Sequence, residues 1–459
     1  MKLFYSLLFI GLAVHSQSQS FNIDIDISNS KDTIAYLGHH FANQRYVDDT
    51  AQVIDGKVVF KGNHDLKEGI YFYYTPNVYF EFILTSPTLQ ITTNANDIVN
   101  NTRVKNSAVN DGFYAMQKFN GIHRKDAERL KKKLESETDE LLKQKITDSL
   151  TQLNEEVELF QQKLQKKYKG SLLDRMIAVM QMPKLPVNVP DSVDNQLYNY
   201  LYYKRHYWDH INLVDPGLLR TPLLHEKIND YLDNVIIQIP DSVIAAVDEI
   251  LRQMSSSEEA FRYALITFAN KYESSPVMGF DKVFVHIVEE YYLKGKAPWT
   301  DDDTLNKLKE RIATMKPNFI GNPAPPLSLT DTLGIIWNLY DVKAKFTVLY
   351  FYDPDCGHCQ HKTPILYKSY PELREKGVEI LGICTTTNEK RWKEFIQQDD
   401  LAWINLADLT GQSHFRYYYD VRSTPTVYIL DKDKKIIVKK IDALQIPEVI
   451  DDLLSSEQK

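Results

Sequence analysis

The sequence predicts a multidomain chain: an N-terminal antiparallel β-sandwich, a central all-α helical domain and a C-terminal α/β domain. Three observations carry this reading. Hydrophobic residues recur with period two through residues 21–105, the spacing of half-buried strands. The spacing turns helical over 106–316. After a proline-rich linker at 317–326, strand-like and helix-like segments alternate through 327–459, as parallel-sheet proteins do. The 459 residues leave room for domains of roughly 150 residues each. A hydrophobic content of 43% with 25% charged residues describes ordinary globular protein. The net charge of −8 argues against a nucleic-acid partner, which demands a basic footprint. Three cysteines are too few for a disulfide-stapled scaffold.

Residues 1–20 read as a signal peptide. Lys2 supplies a positive start, Leu3–Val14 an apolar run too short to span a bilayer, and a polar stretch follows, with cleavage expected among His15–Ser20. No cysteine lies there for a lipid anchor. No other stretch approaches eighteen apolar residues, so the mature chain is expected to be soluble in the periplasm or cell envelope, an oxidising compartment.

In the first domain Phe21, Ile23, Ile25 and Ile27 alternate with polar residues, and Asp55-Gly56 is a hairpin signal ahead of Val58-Val59-Phe60. Ile70–Thr75, Val78–Leu84 and Leu89–Thr92 read as further strands punctuated by Pro76 and Pro87. His39-His40 is read as a turn-exposed pair, for lack of a carboxylate or cysteine cluster nearby. In the helical region Ile146, Leu150, Leu153, Val157, Phe160 and Leu164 form a heptad seam. It fits one arm of an intramolecular hairpin better than a dimerising coiled coil, and the oligomeric state stays open. Lys131-Lys132-Lys133 reads as a solvated face. Further helices are expected over Leu172–Gln181, Asp194–Ile211, Leu223–Ile237, Asp241–Met254, Ser257–Tyr272 and Phe280–Leu293, with Asp241 and Ser257 as N-caps. The tyrosines between Tyr198 and Trp208 read as interhelix packing.

The chemistry concentrates in Thr347–Pro364. Thr347–Tyr352 has the profile of a buried strand; the turn Asp353-Pro354-Asp355 follows, and Cys356-Gly357-His358-Cys359 opens a helix. A Cys-x-x-Cys pair at a strand-to-helix junction is the layout of a dithiol redox site. The helix N-terminus favours the thiolate of the first sulfur, and the second lies one turn on, within reach to close a disulfide.

This segment resembles the thioredoxin superfamily, and Gly357-His358 is the dipeptide found in protein disulfide isomerases. Thr424-Pro425, before the apolar run Thr426–Leu430, matches the family's cis-proline pair facing the dithiol, and Pro364 falls where the family kinks its active-site helix. The hairpin implied by Leu327–Thr330, a turn at Asp331–Gly334 and Ile335-Ile336 is similar to the N-terminal extension of the TlpA/ResA-like branch, the extracytoplasmic thiol–disulfide oxidoreductases. The resemblance implies a thioredoxin-like fold for 327–459, with a β-domain and helical block ahead of it, as in multidomain secreted bacterial proteins.

Cys356 is the expected nucleophile, its pKa lowered by a protonated His358, and Cys359 the buried resolving thiol. Two helpers that the resemblance leads one to expect are replaced: Tyr350 stands where thioredoxins place a buried Asp, and Lys362 where the cytochrome-maturation branch places a Glu. Lys362, if close, favours the thiolate; Asp355, directly before Cys356, opposes it. Haem attachment is disfavoured because Gln360 follows Cys359. A zinc site of Cys356, Cys359, His358 and His361 lacks a separated second ligand pair. A peroxiredoxin would want Thr where Asp353 stands. Cys384 reads as a small buried hydrophobe. No metal and no cofactor beyond a redox-active Cys356–Cys359 disulfide is expected.

The leading function is a periplasmic oxidoreductase acting on protein thiols and disulfides, more a reductase than an oxidase or isomerase, with a membrane-embedded electron donor or acceptor. The alternative is a cell-envelope binding or assembly protein whose N-terminal domains carry the function beside an auxiliary redox domain.

Overall fold

The computed structural model describes residues 20–186 and 194–457. All of the expected signal peptide except Ser20, and Pro190, lie outside them. The chain forms two compact units, Met1–Ile236 with Arg252–Phe261, and Ile237–Leu251 with Arg262–Lys459. The helical stretch 106–316, expected as one domain, is thus divided between them.

In the first unit β1 (Phe21–Ser28), β4 (Lys57–Gly62), β7 (Thr88–Asn94) and β8 (Arg103–Lys105) form one sheet in the order β4-β1-β7-β8. A second sheet runs β3-β2-β5-β6, from β2 (Ile34–Phe41), β3 (Gln44–Gln52), β5 (Gly69–Tyr74) and β6 (Tyr79–Leu84). All pairings are antiparallel except β1 with β7, which is parallel. The alternation read in β1 is realised: Phe21, Ile23, Ile25 and Ile27 are all buried. Asp55 and Gly56 both take left-handed backbone angles in the tight turn closed by the Ile54–Lys57 bridge. Strands β2 and β3 have no counterpart in the sequence expectation, because β3 is polar and largely exposed along its length. His39 and His40 lie on β2, not in a turn. His39 Nδ1 meets Asp48 Oδ2 at 2.8 Å, and the buried His40 meets Glu81 Oε1 at 2.8 Å. Cross-strand pairing brought in carboxylates that no local pattern announced.

Helices Ala108–Ser136 and Glu140–Lys167 make the expected intramolecular hairpin, with Phe119 stacked on Phe160 at 4.1 Å and Ile146 and Leu164 buried. Lys131, Lys132 and Lys133 are exposed. Asn110 ties the hairpin to the sandwich, accepting from the Ile83 N–H and donating to its carbonyl, each at 2.8 Å. The tyrosine-rich stretch only partly meets the packing expectation: the helix Asn195–His206 buries none of its residues fully, and Tyr207, just beyond it, is the buried one. Asp241 lies in the first turn of the helix Pro240–Met254 rather than capping it, whereas Ser257 Oγ accepts from the Ala260 N–H at 3.3 Å.

The second unit carries a seven-stranded sheet in the order β10-β9-β13-β12-β11-β14-β15. Its strands are β9 (Ser328–Thr330), β10 (Ile336–Asn338), β11 (Phe346–Tyr352), β12 (Val378–Cys384), β13 (Ile404–Ala407), β14 (Thr426–Leu430) and β15 (Ile436–Lys439). The central strand β11 pairs parallel with β12 and antiparallel with β14, and every one of its residues is buried. Val348, Tyr350 and Tyr352 enter the core on one face of the sheet, Leu349 and Phe351 that on the other. The stretch 317–326 is not the free linker expected. Gly321 and Ala324 donate to the Ile436 and Lys434 carbonyls, Ile436 donates back to the Asn322 carbonyl, and Asn318 and Ala324 are buried. Its prolines suit it to lie along a sheet edge without continuing the ladder. A helix absent from the expectation, Asp302–Met315, is capped by Asp301, which accepts from the Thr304 N–H at 2.7 Å. Among the described residues no helix is long and apolar enough to cross a membrane.

Candidate active site

Strand β11 ends at Tyr352 and delivers a short turn, after which Cys356 is the N-cap of the helix Gly357–Glu375. The turn is closed by the Cys356 N–H donating to the Asp353 carbonyl at 3.1 Å. Cys359, one turn in, is buried, whereas Cys356 is partly exposed. Facing them is the loop before β14, where the Thr424-Pro425 peptide is cis and the Cys356 Sγ–H donates to the Thr424 carbonyl at 3.2 Å. Helix start and opposing loop, far apart in sequence, thus meet at one sulfur.

The two thiols are electrostatically unlike. Burial alone would raise the Cys356 pKa, but hydrogen bonds from the Thr424 side chain and from the backbone and thiol of Cys359 outweigh it, leaving the pKa lowered. Cys359 is pushed up to about 12, chiefly by burial. Cys384, buried at the end of β12, is likewise pushed up to about 12 by burial, consistent with a small core residue. All three are free thiols.

The structure gives each remaining predicted residue a place. Tyr350 is buried, its hydroxyl 2.8 Å from Thr363 Oγ1, and burial holds the phenol well above its ordinary range; it stays neutral and is no carboxylate substitute. Lys362 donates to Asp442 Oδ2 at 2.6 Å, so its charge is shared with the turn after β15. Gly357 and His358 are exposed on the first helical turn, and a side chain at Gly357 would meet open space. Pro364 lies inside the helix, as does Pro371. The opposition expected from Asp355 is answered: Arg391, in the helix Glu389–Gln398, donates from Nε to Asp355 Oδ1 at 2.8 Å and from Nη2 to the Pro354 carbonyl at 3.2 Å.

Sequence reasoning missed Arg391, Thr363 and Asp442. Only Asp442 had a local signal, since Asp442 and Gln445 form a capping box. Among the described residues no group of three or more His, Cys, Asp or Glu side chains could hold a metal ion. What the arrangement can do chemically is present one activated thiolate with a protonated partner behind it, the asymmetry that thiol–disulfide exchange uses.

Residues 320–439 match the AhpC/TSA family. Over 135 residues the chain is 33% identical to the thiol-disulfide oxidoreductase ResA of Bacillus thuringiensis subsp. konkukian, an alignment spanning 29% of this chain and 76% of that protein. The chain belongs to the thioredoxin-like thiol–disulfide oxidoreductases. Within this oxidoreductase, residues 21–113 and 132–318 match two further families, each described as a domain of unknown function, DUF4369 and DUF5106 respectively. Among solved structures it is similar to a thioredoxin-like protein from Bacteroides caccae, at 21% identity and a TM-score of 0.49, covering 59% of this chain and 99% of that one. It is also similar to the thioredoxin domain of a thiol-disulfide oxidoreductase from Bacteroides vulgatus, at 26% identity and a TM-score of 0.27, covering 28% and 97%.

Proposed function

We propose that this oxidoreductase is exported to the periplasm or cell envelope and reduces disulfides of protein substrates through Cys356 and Cys359, drawing electrons from a membrane-embedded donor. The observation that carries the reading is the asymmetry of the two sulfurs beside the Thr424 carbonyl: Cys356 partly exposed with a lowered pKa, Cys359 buried with its pKa raised to about 12. The Cys356 thiolate attacks one substrate sulfur and expels the other as a thiolate, which takes up a proton. Cys359 then loses its proton and attacks Cys356, so that the Cys356–Cys359 disulfide forms and the second substrate sulfur leaves reduced. Two electrons and two protons have passed to the substrate, and the enzyme must be re-reduced by its donor. No organic cofactor or metal enters these steps. The Thr424 backbone is suited to pair with an extended substrate chain.

Cys356→Ser should abolish turnover, and Cys359→Ser should accumulate covalent mixed disulfides with its substrates. Capture by Cys356→Ser and not by Cys359→Ser would reverse the assigned roles. The direction of electron flow is read from the equilibrium potential against glutathione: a reductase sits near −270 mV, as thioredoxin does, and an oxidase or isomerase at about −120 to −180 mV. The imidazole of His358, two residues after Cys356, favours the thiolate and so pulls toward the second range, and a value there would overturn the reductase assignment.

A further inference from the structure

The segment leading into the Thr424 loop is not held by the thioredoxin-like domain alone. The Asp420 carboxylate, with 2% of its side chain exposed, receives four donors or cations. Arg311 Nη1 lies 2.6 Å from Oδ1, Arg422 Nε 3.0 Å from the same oxygen, and Lys440 Nζ 2.7 Å from Oδ2, with Thr314 Oγ1 at 3.5 Å. Arg311 and Thr314 belong to the helix Asp302–Met315, and Arg311 is further fixed by Glu273 at 3.0 Å. Asn318 adds a bond from its side-chain amide to the Tyr418 carbonyl at 2.7 Å. On the far side of the loop the Lys440 N–H donates to the Val427 carbonyl at 2.7 Å.

Backbone conformation points the same way. Asp420 and Lys440, which pair with each other, both adopt left-handed angles, with φ of 47° and 57°. Asp tolerates this region and Lys rarely visits it. Glycine at either site would relax the backbone and lose the side chain. The chain keeps two charged residues there, and their side chains bracket residues 421–427.

We propose that Arg311 and Asp420 are positioning residues, a clamp by which the helix Asp302–Met315 sets the Thr424 loop against Cys356 for recognition of extended protein substrates. The inference rests on the proposed reduction of protein disulfides and adds to it a task for the helical region. A buried, hydrogen-bonded charge cluster suits such a task, since it fixes geometry in a way that apolar contact does not. A second latch provides an internal control. Lys439 on β15 binds Asp281, in the helix Asp281–Ile287, and the Asn318 carbonyl, without touching residues 421–427.

The test compares full-length variants on a protein disulfide, insulin, and on a small one, hydroxyethyl disulfide. Arg311→Met and Asp420→Asn should each lower kcat/KM for insulin about tenfold, mainly through KM, because a displaced loop misplaces the substrate chain. Arg311→Lys should recover part of the loss. Reduction of hydroxyethyl disulfide and the alkylation rate of Cys356 should stay within twofold of the wild type, and Asp281→Asn should show no selective loss of the insulin reaction. Asp420→Gly, which keeps a backbone compatible with the left-handed angle, should fold and show the same selective loss. The clamp is overturned if an active wild type is matched by its Arg311 and Asp420 variants, if the loss extends equally to the small disulfide, or if Asp281→Asn reproduces it. A wild type inactive on both disulfides would remove the reading on which the clamp rests.

Discussion

Arg391 donates to the Asp355 carboxylate at 2.8 Å, one residue before the exposed end of the dithiol. An acidic residue beside Cys356 would by itself disfavour its thiolate, and the guanidinium opposes that effect. Arg391→Met should therefore raise the Cys356 pKa and slow its alkylation at neutral pH by about two- to fivefold. Adding Asp355→Asn to that variant should restore the rate. A pH titration of the thiolate ultraviolet absorbance measures both, and an unchanged midpoint in Arg391→Met would show that Asp355 exerts no field on the sulfur.

The two thiols should separate cleanly with pH. The Cys356 pKa is lowered and that of Cys359 is pushed up to about 12, so rising pH exposes the Cys356 thiolate long before the other. Iodoacetamide near neutral pH should label Cys356 alone in the folded reduced protein, as read by peptide mass spectrometry. The linkage has opposite signs at the two sites. The depressed Cys356 pKa contributes stability that is present above its unfolded value and lost as pH falls through the folded one. The raised Cys359 pKa contributes stability that is full below its unfolded value and lost as pH rises toward 12. The reduced protein should accordingly weaken in alkali more than a Cys359→Ala variant does.

Tyr350→Phe removes one hydroxyl from a fully buried pair and leaves Thr363 Oγ1 without its partner. A buried polar group stranded in this way costs about 1–3 kcal/mol. Urea unfolding should show that loss, and the double variant Tyr350→Phe with Thr363→Val should be more stable than the single one. Equal stability of the two would mean that the pair contributes nothing.

Fragments test where the redox unit begins. One starting at Pro317, at the head of the proline-rich stretch, lacks Asp281 and strands Lys439, whose ammonium is almost fully buried against that carboxylate. Removing one partner of a buried ion pair costs about 3–5 kcal/mol. A fragment starting at Ile237 retains the pair and should melt well above the Pro317 fragment. Equal melting temperatures would return the boundary to the proline-rich stretch.

Much of the redox centre was legible locally. The β-rich run of β11 and the Cys-x-x-Cys pair at the helix start depend on near neighbours in the chain, and period or spacing reports those; the Thr424-Pro425 pair was marked by the resemblance to the thioredoxin superfamily. The alternating residues of β1 and the heptad seam of Glu140–Lys167 were readable for the same reason. The parallel pairing of β1 with β7 was not, nor was strand β3, whose polar sequence is held by its neighbour rather than by its own burial.

What surrounds the sulfurs was decided only in three dimensions. Asp355 finds Arg391 across 36 positions, and Asp420 finds Arg311 across 109. Tyr350, read from sequence as a missing carboxylate, turns out to close a hydroxyl pair with Thr363. The amino-acid order by itself determined that a dithiol opens a helix behind a buried strand. Which charges neutralise each other around it, and which helices grip the opposing loop, followed from packing. A charge–charge partnership has no sequence period, because it exists only where two distant surfaces are brought within a few ångströms and water is excluded between them.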